Sequence, residues 1–313
     1  MSIWDEIKKS FRQGSMLTKL IYINLAVFLA VNITYVFYAL FVSSGNIAGE
    51  RKYYFMQNWL TYFMVPASPL SLLHKPWTIL TYMFLHFNFF HILFNLLWFY
   101  FFGRLFLHFL TEKQMLSTYI FGGFAGALLF ILAYNLLPGL KQEVNTAEML
   151  GASAGIMAIG MAISFYAPNY EVFLILIGRV KLKYIALFFI VTDIILIAYK
   201  DPSGHNNAGG HIAHLGGVIY AYFYILQLRR GKDMGQGFNR FLDNIVTLFS
   251  RRRNRMKVSY KKSVKDMTDM EYNRRKADTQ EEIDRILDKI AKSGYDSLTK
   301  KEKETLFKMG GKN

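Results

Sequence analysis

Residues 151–166 read GASAGIMAIGMAISFY, with no charged side chain and small residues throughout. A helix of this stretch reaches only ~24 Å at 1.5 Å per residue, short of the ~30 Å hydrocarbon core of a bilayer. Such a helix is either surrounded by other helices or starts beneath the membrane surface. Its glycines and alanines favour burial at the centre of a bundle, because they let neighbouring backbones approach closely.

Longer apolar runs flank it. Residues 20–42 (LIYINLAVFLAVNITYVFYALFV) hold the ~20 apolar residues a transmembrane helix needs, and further candidates fall at 79–102, 115–137, 184–199 and 210–228. With 150–166 they make six expected spans. The first lacks the short h-region and A-x-A-like site of a cleavable leader, so it reads as a span.

Composition agrees. The chain has 313 residues and is 53% hydrophobic, 17% aromatic and 19% charged, where a soluble domain carries about 25% charge. Of 37 Lys/Arg and 22 Asp/Glu, 23 and 13 lie after residue 228, leaving the first 228 residues with roughly one charge in ten. The net charge of +15 could suggest a nucleic-acid binder. The basic tail and short loops account for it instead, through the positive-inside rule, and no nucleic-acid partner is expected. Cysteine is absent, which excludes disulfides, thiolate metal sites and a cysteine nucleophile.

With six spans both termini share one side, which carries Lys8, Lys9, Arg12, Lys19, Arg104, Lys113, Arg179, Lys181, Lys183 and the tail. The other side carries Arg51, Lys52, Lys75, Lys141 and Lys200. Both termini are therefore expected in the cytoplasm. The stretch 171–183 (EVFLILIGRVKLK) alternates around Gly178 and predicts a small interfacial hairpin.

The expected organisation is an all-α polytopic membrane protein: a cytoplasmic segment 1–19, a six-helix membrane domain 20–228, a basic amphipathic juxtamembrane linker 229–278 and a small helical hairpin 279–313. Within the linker, 238–249 (FNRFLDNIVTLF) has helical apolar spacing and RRRNR follows at 251–255, which predicts a helix on the inner membrane face near anionic lipid. In the tail, Thr279 with Glu282 and Thr299 with Glu302 fit capping boxes, and Gly294 fits a C′ position.

Polar residues inside apolar spans are costly and usually face a cavity. His91 and Asn95 lie four apart on one face of the second span. Ser153 opens the fourth span within Gly151-Ala152-Ser153-Ala154-Gly155, and His211 and His214 open the sixth. The topology puts all of them near the outer end of the bundle. Each has a plainer reading: Gly151 and Gly155 as a helix-packing pair, Ser153 bonded one turn back, and His91 with Asn95 as an interhelical bridge. Their coincidence at one depth is what suggests a catalytic pocket.

Two chemistries compete. GxSxG is also the nucleophile elbow of α/β-hydrolases, with Ser153, Asp193 and His214 in that family's order, but six apolar spans leave no room for the sheet it needs. His86, His91, His211 and His214 could ligate zinc, but HExxH is absent and no acidic residue stands at useful spacing.

The set FLHFNFFHILFNLLWFY, GASAGIMA and GGHIAHLGG, in that order on spans two, four and six, resembles the rhomboid intramembrane serine proteases over about residues 16–228. The tail hairpin looks like an appendage of some bacterial members. The resemblance implies a six-helix rhomboid-like bundle with Ser153 as nucleophile and His214 as general base, a dyad with no required carboxylate. It implies an oxyanion site from the His91 and Asn95 side chains and the Ser153 N–H, with Gly151, Gly155, Gly217 and Ala221 as small packing residues around it. No metal or cofactor is implied. Single-pass membrane proteins would be the substrates, cut in or just outside the outer leaflet, with membrane lipid the other partner and a bacterial cytoplasmic membrane the setting.

The sequence departs from the family pattern at Ala154 (usually Gly), Ala221 (commonly Gly) and Trp77-Thr78 (often Trp-Arg). Alanine remains small at the first two, and no loop-anchoring role is carried onto Thr78. Loops 43–78 and 199–209 are candidates for covering the site. His211 and Asp193 are left without a catalytic role, each placed to bond near the pocket. The rival reading is an inactive rhomboid-like protein that escorts membrane clients, and the presence of both Ser153 and His214 weighs against it. A transporter would show internal repeats or paired discontinuous helices, and neither is evident.

Overall fold

The apolar runs fold as helices whose ends are set by capping side chains. The computed structural model describes residues 2–42, 48–175, 177–199, 207–249 and 269–310. It divides into two units, Met1–Phe249 and Ser250–Asn313, each with its own architecture.

In the first unit the order is α1 (Ile3–Gln13), α2 (Met16–Phe37), α3 (Ala48–Asn58), β1 (Val65–Pro66), α4 (Pro69–His74), α5 (Thr78–Thr81), α6 (Phe89–Phe109), α7 (Glu112–Leu136), β2 (Glu148–Met149), α8 (Ser153–Tyr166), β3 (Glu171–Leu174), β4 (Gly178–Lys181), α9 (Leu182–Ile197), α10 (Ala208–Arg229) and α11 (Gln236–Phe249). Three helical stretches, Met16–Phe41, Phe89–Phe109 and Glu112–Leu136, are long and apolar enough to cross a membrane. The other three apolar helices are α8 with 14 residues, α9 with 16 and α10 with 22. Length and composition therefore give three spans among the described residues, where the sequence reading expects six. The physical reason is that α8 is short and α10 carries His, Gly and Gln side chains that lower its hydropathy.

The second expected span also starts later than residue 79. Residues 78–84 form α5 and a 3₁₀ turn, and an extended link leads to α6. Helix α6 begins at Phe89 because the Asn88 side chain accepts the N–H groups of Phe90 (2.9 Å) and His91 (3.3 Å), satisfying donors no helix can satisfy internally.

The fold is not purely helical. Strands β1 and β2 pair antiparallel, Val65 opposite Met149, and β3 and β4 form the hairpin expected over 171–183.

Helix α8 lies among α6, α7, α9 and α10. Ala154 to Ile156 and Ala158 to Ser164 are buried along it. This central seat depends on small residues. A methyl group on Gly217 of α10 would collide with the Ala154 carbonyl, and one on Gly155 would sit 2.7 Å from the Tyr119 carbonyl of α7. Ala221 of α10 is likewise fully buried. Tyrosines tie the 82–84 turn to α7: Tyr82 donates to the Gly123 carbonyl (2.6 Å), and Tyr119 donates to the Met83 carbonyl (2.8 Å). Buried bonds of this kind are worth about 1 kcal/mol net, and far more is lost if one partner is left alone.

Outward faces are apolar. Leu29, Ile33, Phe37 and Phe41 in the first stretch, Leu187, Phe188, Ile194 and Ile195 on α9, and Ile219 and Phe223 on α10 are all exposed, a surface suited to lipid and not to water. Helix α11 follows the bundle, with Phe238 edge-on to Phe121 (5.4 Å) and Asp243 accepting from Lys113 (2.6 Å). The RRRNR run at 251–255 lies outside the described residues.

The second unit holds α12 (Asp269–Ser293), a 3₁₀ turn at Tyr295–Ser297 and α13 (Lys300–Gly310). Helix α12 runs unbroken through Thr279, so the Thr279–Glu282 pair caps nothing. Charged and polar residues from Asp269 onward continue the helix before any apolar stripe begins. Gly294 does end α12, with φ +75°, and Thr299–Glu302 is a true box: the Thr299 N–H donates to the Glu302 carboxylate (2.7 Å) and the Glu302 N–H to Thr299 Oγ1 (3.4 Å). Lys289 pairs with the same carboxylate (2.9 Å) across the turn.

The Thr299 N–H, then Lys289 and the Thr299 hydroxyl, hold the Glu302 carboxyl at about 2, against an ordinary 4.5. A lowered folded-state value means stabilisation that is complete above pH 4.5 and is lost as pH falls from there towards 2. Amide protection factors for residues 299–303 are expected to fall across that window in the wild type and to be already low at neutral pH in Glu302→Gln.

Candidate active site

The site is assembled at the head of α8. The chain arrives through β2, and Gly151 turns it with φ +129°, a conformation a side chain resists. The Gly151 N–H donates to the Tyr82 carbonyl (2.9 Å), so the turn is fixed to the segment α7 already holds. Helix α8 then starts at Ser153, and its first intrahelical bond runs from Ile156 N–H to the Ala152 carbonyl (3.0 Å). The N–H groups of Ser153, Ala154 and Gly155 precede that bond, so the positive end of the helix stands beside the serine hydroxyl.

His91 packs over the same turn. A Cβ on Gly151 would lie 2.9 Å from His91 Cε1, 3.1 Å from its Nε2 and 3.7 Å from Ser153 Oγ. Serine and imidazole thus converge on the one position where a side chain is missing. Asn95, one turn further along α6, bonds through Nδ2 to His86 Nε2 (3.0 Å). His86 is fully buried, lies edge-on to His91 (5.0 Å) and reaches the Ala152 N–H at 3.5 Å. It therefore links α6 to the head of α8. From the sequence His86 is only a possible metal nitrogen. The signal available was its spacing, five residues before His91 and nine before Asn95, but the bend at Asn88 that folds it back was not legible.

His214 comes from α10. With His91, Asn95, Gly151, Ser153 and Ala154 it lines a cavity of about 750 Å³. The Ser153 hydroxyl and the His214 ring share this wall without a hydrogen bond between them. His214 Nδ1 lies 2.9 Å from Asp193 Oδ1 of α9, and His211 Nδ1 lies 2.8 Å from the same oxygen. Asp193 is buried, 4% exposed, and its Oδ2 has no hydrogen-bond partner among the described residues. No acidic residue stands at useful spacing along the sequence, yet one meets the histidines in space. Asp193 stands eighteen and twenty-one residues away in sequence, but α9 and α10 are neighbours. Asp193, His211 and His214 present three possible ligand atoms within 4.8 Å of one another. His86 and His91 are outside that trio and stand edge-on to each other.

The loop before α6 is anchored by residues other than Thr78. Lys75 pairs with Glu148 of β2 (2.8 Å) and donates to the Thr61 carbonyl (2.7 Å), and Trp77 donates to the Tyr62 carbonyl (2.7 Å). Thr78 is buried and bonded locally to the Lys75 carbonyl (2.7 Å). Of the two expected covering loops, residues 43–47 and 200–206 lie outside the described residues.

A serine at a helix N-terminus and histidine and asparagine side chains from two further helices thus line one cavity among apolar helices. The Rhomboid domain family model matches residues 73–231, just over half the chain, and the chain belongs to the rhomboid family. It is similar to RHOMBOID-like protein 12, mitochondrial, of Arabidopsis thaliana, with 26% identity over 163 residues. That alignment covers 50% of this chain and 47% of the relative, so the chain spans about half the length of the curated protein it matches. Residues 267–310 match a family of unknown function, DUF6576. Family membership and the apolar helices make this an integral membrane protein.

Proposed function

We propose that the protein is an intramembrane serine endopeptidase in which Ser153 attacks the scissile carbonyl and His214 is the general base. The observation that carries this reading is the shared cavity. Ser153, His214, His91 and Asn95 arrive from three different helices to line it, and α8 begins at Ser153. As Ser153 Oγ bonds to the carbonyl carbon, its proton passes to His214 Nε2. The oxyanion is stabilised by the Ser153 N–H, the His91 ring and the second Asn95 amide hydrogen, the first being engaged with His86. His214 then protonates the leaving amine, and water admitted through the cavity releases the acyl group.

The substrates on this reading are single-pass membrane proteins. A helical peptide bond must unwind before its carbonyl can reach Ser153, so small and helix-weakening residues near the cut are favoured. The six apolar helices of the first unit all span the membrane, both termini lie on the cytoplasmic side and the site opens outward. Helix α11 rests on anionic lipid of the inner face of a bacterial cytoplasmic membrane.

The test is fluorophosphonate labelling of the purified full-length protein in detergent, beside cleavage of a model single-pass substrate. Labelling and cleavage support the protease; folded protein that does neither removes it and leaves the client-escort function. Within an active enzyme, Asn95→Ala should lower kcat by about 10²-fold with little change in KM, the usual cost of one oxyanion donor. An equal loss in KM would place Asn95 in substrate binding instead.

A further inference from the structure

We infer that Asp193 is a positioning residue for His214, so that this chain works with a buried Asp193–His214–Ser153 relay in place of a bare dyad. The inference rests on the protease reading above. It starts from the two short contacts on one carboxylate oxygen: His214 Nδ1 at 2.9 Å and His211 Nδ1 at 2.8 Å.

A carboxylate cannot donate when ionised, so each of these nitrogens carries the hydrogen. With Nδ1–H directed at Asp193, His214 keeps its lone pair on Nε2, the ring atom on the opposite side. This is the only tautomer in which His214 can accept the Ser153 proton. A neutral imidazole without such a partner divides between two tautomers and turns about its side-chain bonds, and each alternative removes the base.

Asp193 has a second effect during reaction. When the Ser153 Oγ–H proton moves to Nε2, His214 becomes an imidazolium beside a carboxylate shielded from water. The pair attracts strongly there, and no proton needs to reach Asp193. The proton then leaves from Nε2 to the amine as the C–N bond breaks, and His214 returns to its starting tautomer.

His211 supplies the brace. It stands one turn before His214 on α10 and bonds the same oxygen, with the two rings edge-to-face at 5.7 Å and 87°. The carboxylate from α9 is thus gripped at two points of α10. A purely structural link between these helices would need one donor, and an ionised carboxylate with one oxygen unpartnered among the described residues is a costly way to provide it. A resident metal is the competing reading of the same three atoms. Chelation separates the two readings.

The experiment uses the full-length protein in detergent micelles, comparing wild type with Asp193→Asn, Asp193→Glu, Asp193→Ala, His211→Ala and Ser153→Ala. Asp193→Asn is expected to lower kcat and the fluorophosphonate labelling rate by about 10²- to 10⁴-fold, with KM and melting temperature near wild type. Asp193→Glu should restore part of the rate, and His211→Ala should cost about tenfold or less. ¹⁵N-histidine spectra, read in Ser153→Ala so that chemistry plays no part, should show His214 with Nε2 unprotonated and should lose that signature with Asp193→Asn. EDTA should change nothing.

The inference is overturned if folded Asp193→Asn keeps the wild-type rate while Ser153→Ala is dead. It is also overturned if KM and melting temperature shift together with kcat, which marks a structural link, or if EDTA abolishes activity and zinc restores it. Wild type that neither labels nor cleaves overturns the protease reading itself, a different result.

Discussion

Ser153→Ala and His214→Ala are each expected to abolish fluorophosphonate labelling and to lower cleavage of a single-pass substrate by at least about 10⁴-fold, and the double variant should be no worse than either alone. The non-additivity follows from their joint task. Without the hydroxyl there is no bond to form, and without the imidazole the hydroxyl at neutral pH keeps its proton. Neither change should unfold the protein. Ser153 and His214 line the cavity and are only partly buried, and α8 and α10 are held elsewhere by small-residue packing. Retained labelling in folded Ser153→Ala would mean another nucleophile and would end the assignment.

Gly151→Ala is the second change with a large expected effect, on both stability and activity. At φ +129° the backbone costs a residue with a Cβ about 1–3 kcal/mol. The added methyl would also stand 2.9 Å and 3.1 Å from two atoms of the His91 ring. Relief requires the ring to move or the turn to reopen. Moving the ring displaces the proposed oxyanion donor, and reopening the turn displaces Ser153 itself. Labelling and kcat should fall by about 10²-fold or more, with thermal stability reduced by a few degrees. Gly139→Ala is the control: nothing lies within 4 Å of its Cβ position and its φ is not positive, so both readouts should stay at wild-type values. Equal behaviour of the two variants would show that the turn before Ser153 is looser than described.

The two predictions differ in how far the sequence supports them. Ser153 and His214 can be proposed from the chain because several polar residues fall at one depth of apolar spans, where each is costly. Gly151 was readable only as a packing residue. Its positive φ, and the His91 ring filling the space over it, arise from three segments meeting: β2, the 82–84 turn and α6.

His86 and Asp193 mark the limit most clearly. His86 lies outside any helix, in the link before Asn88, where helical spacing says nothing of its neighbours. Asp193 sits within a run of Phe, Ile, Val and Leu on α9, where one-dimensional spacing offers it no partner. Sequence patterns report on residues a few positions apart, because helix and strand periodicities are local. A carboxylate that meets two imidazoles across a helix pair is a fact about packing.

From the chain alone came the membrane character, the family resemblance, the short central helix at 151–166, the hairpin around Gly178 and the Thr299–Glu302 cap. All of these depend on composition, hydrophobic run length or contacts within four residues. The tertiary structure decided where α6 begins, which histidine braces Asn95, what anchors the loop near Thr78 and which carboxylate holds His214. Each of those rests on close approach between distant segments. Small residues permit that approach, and only the packed bundle specifies it.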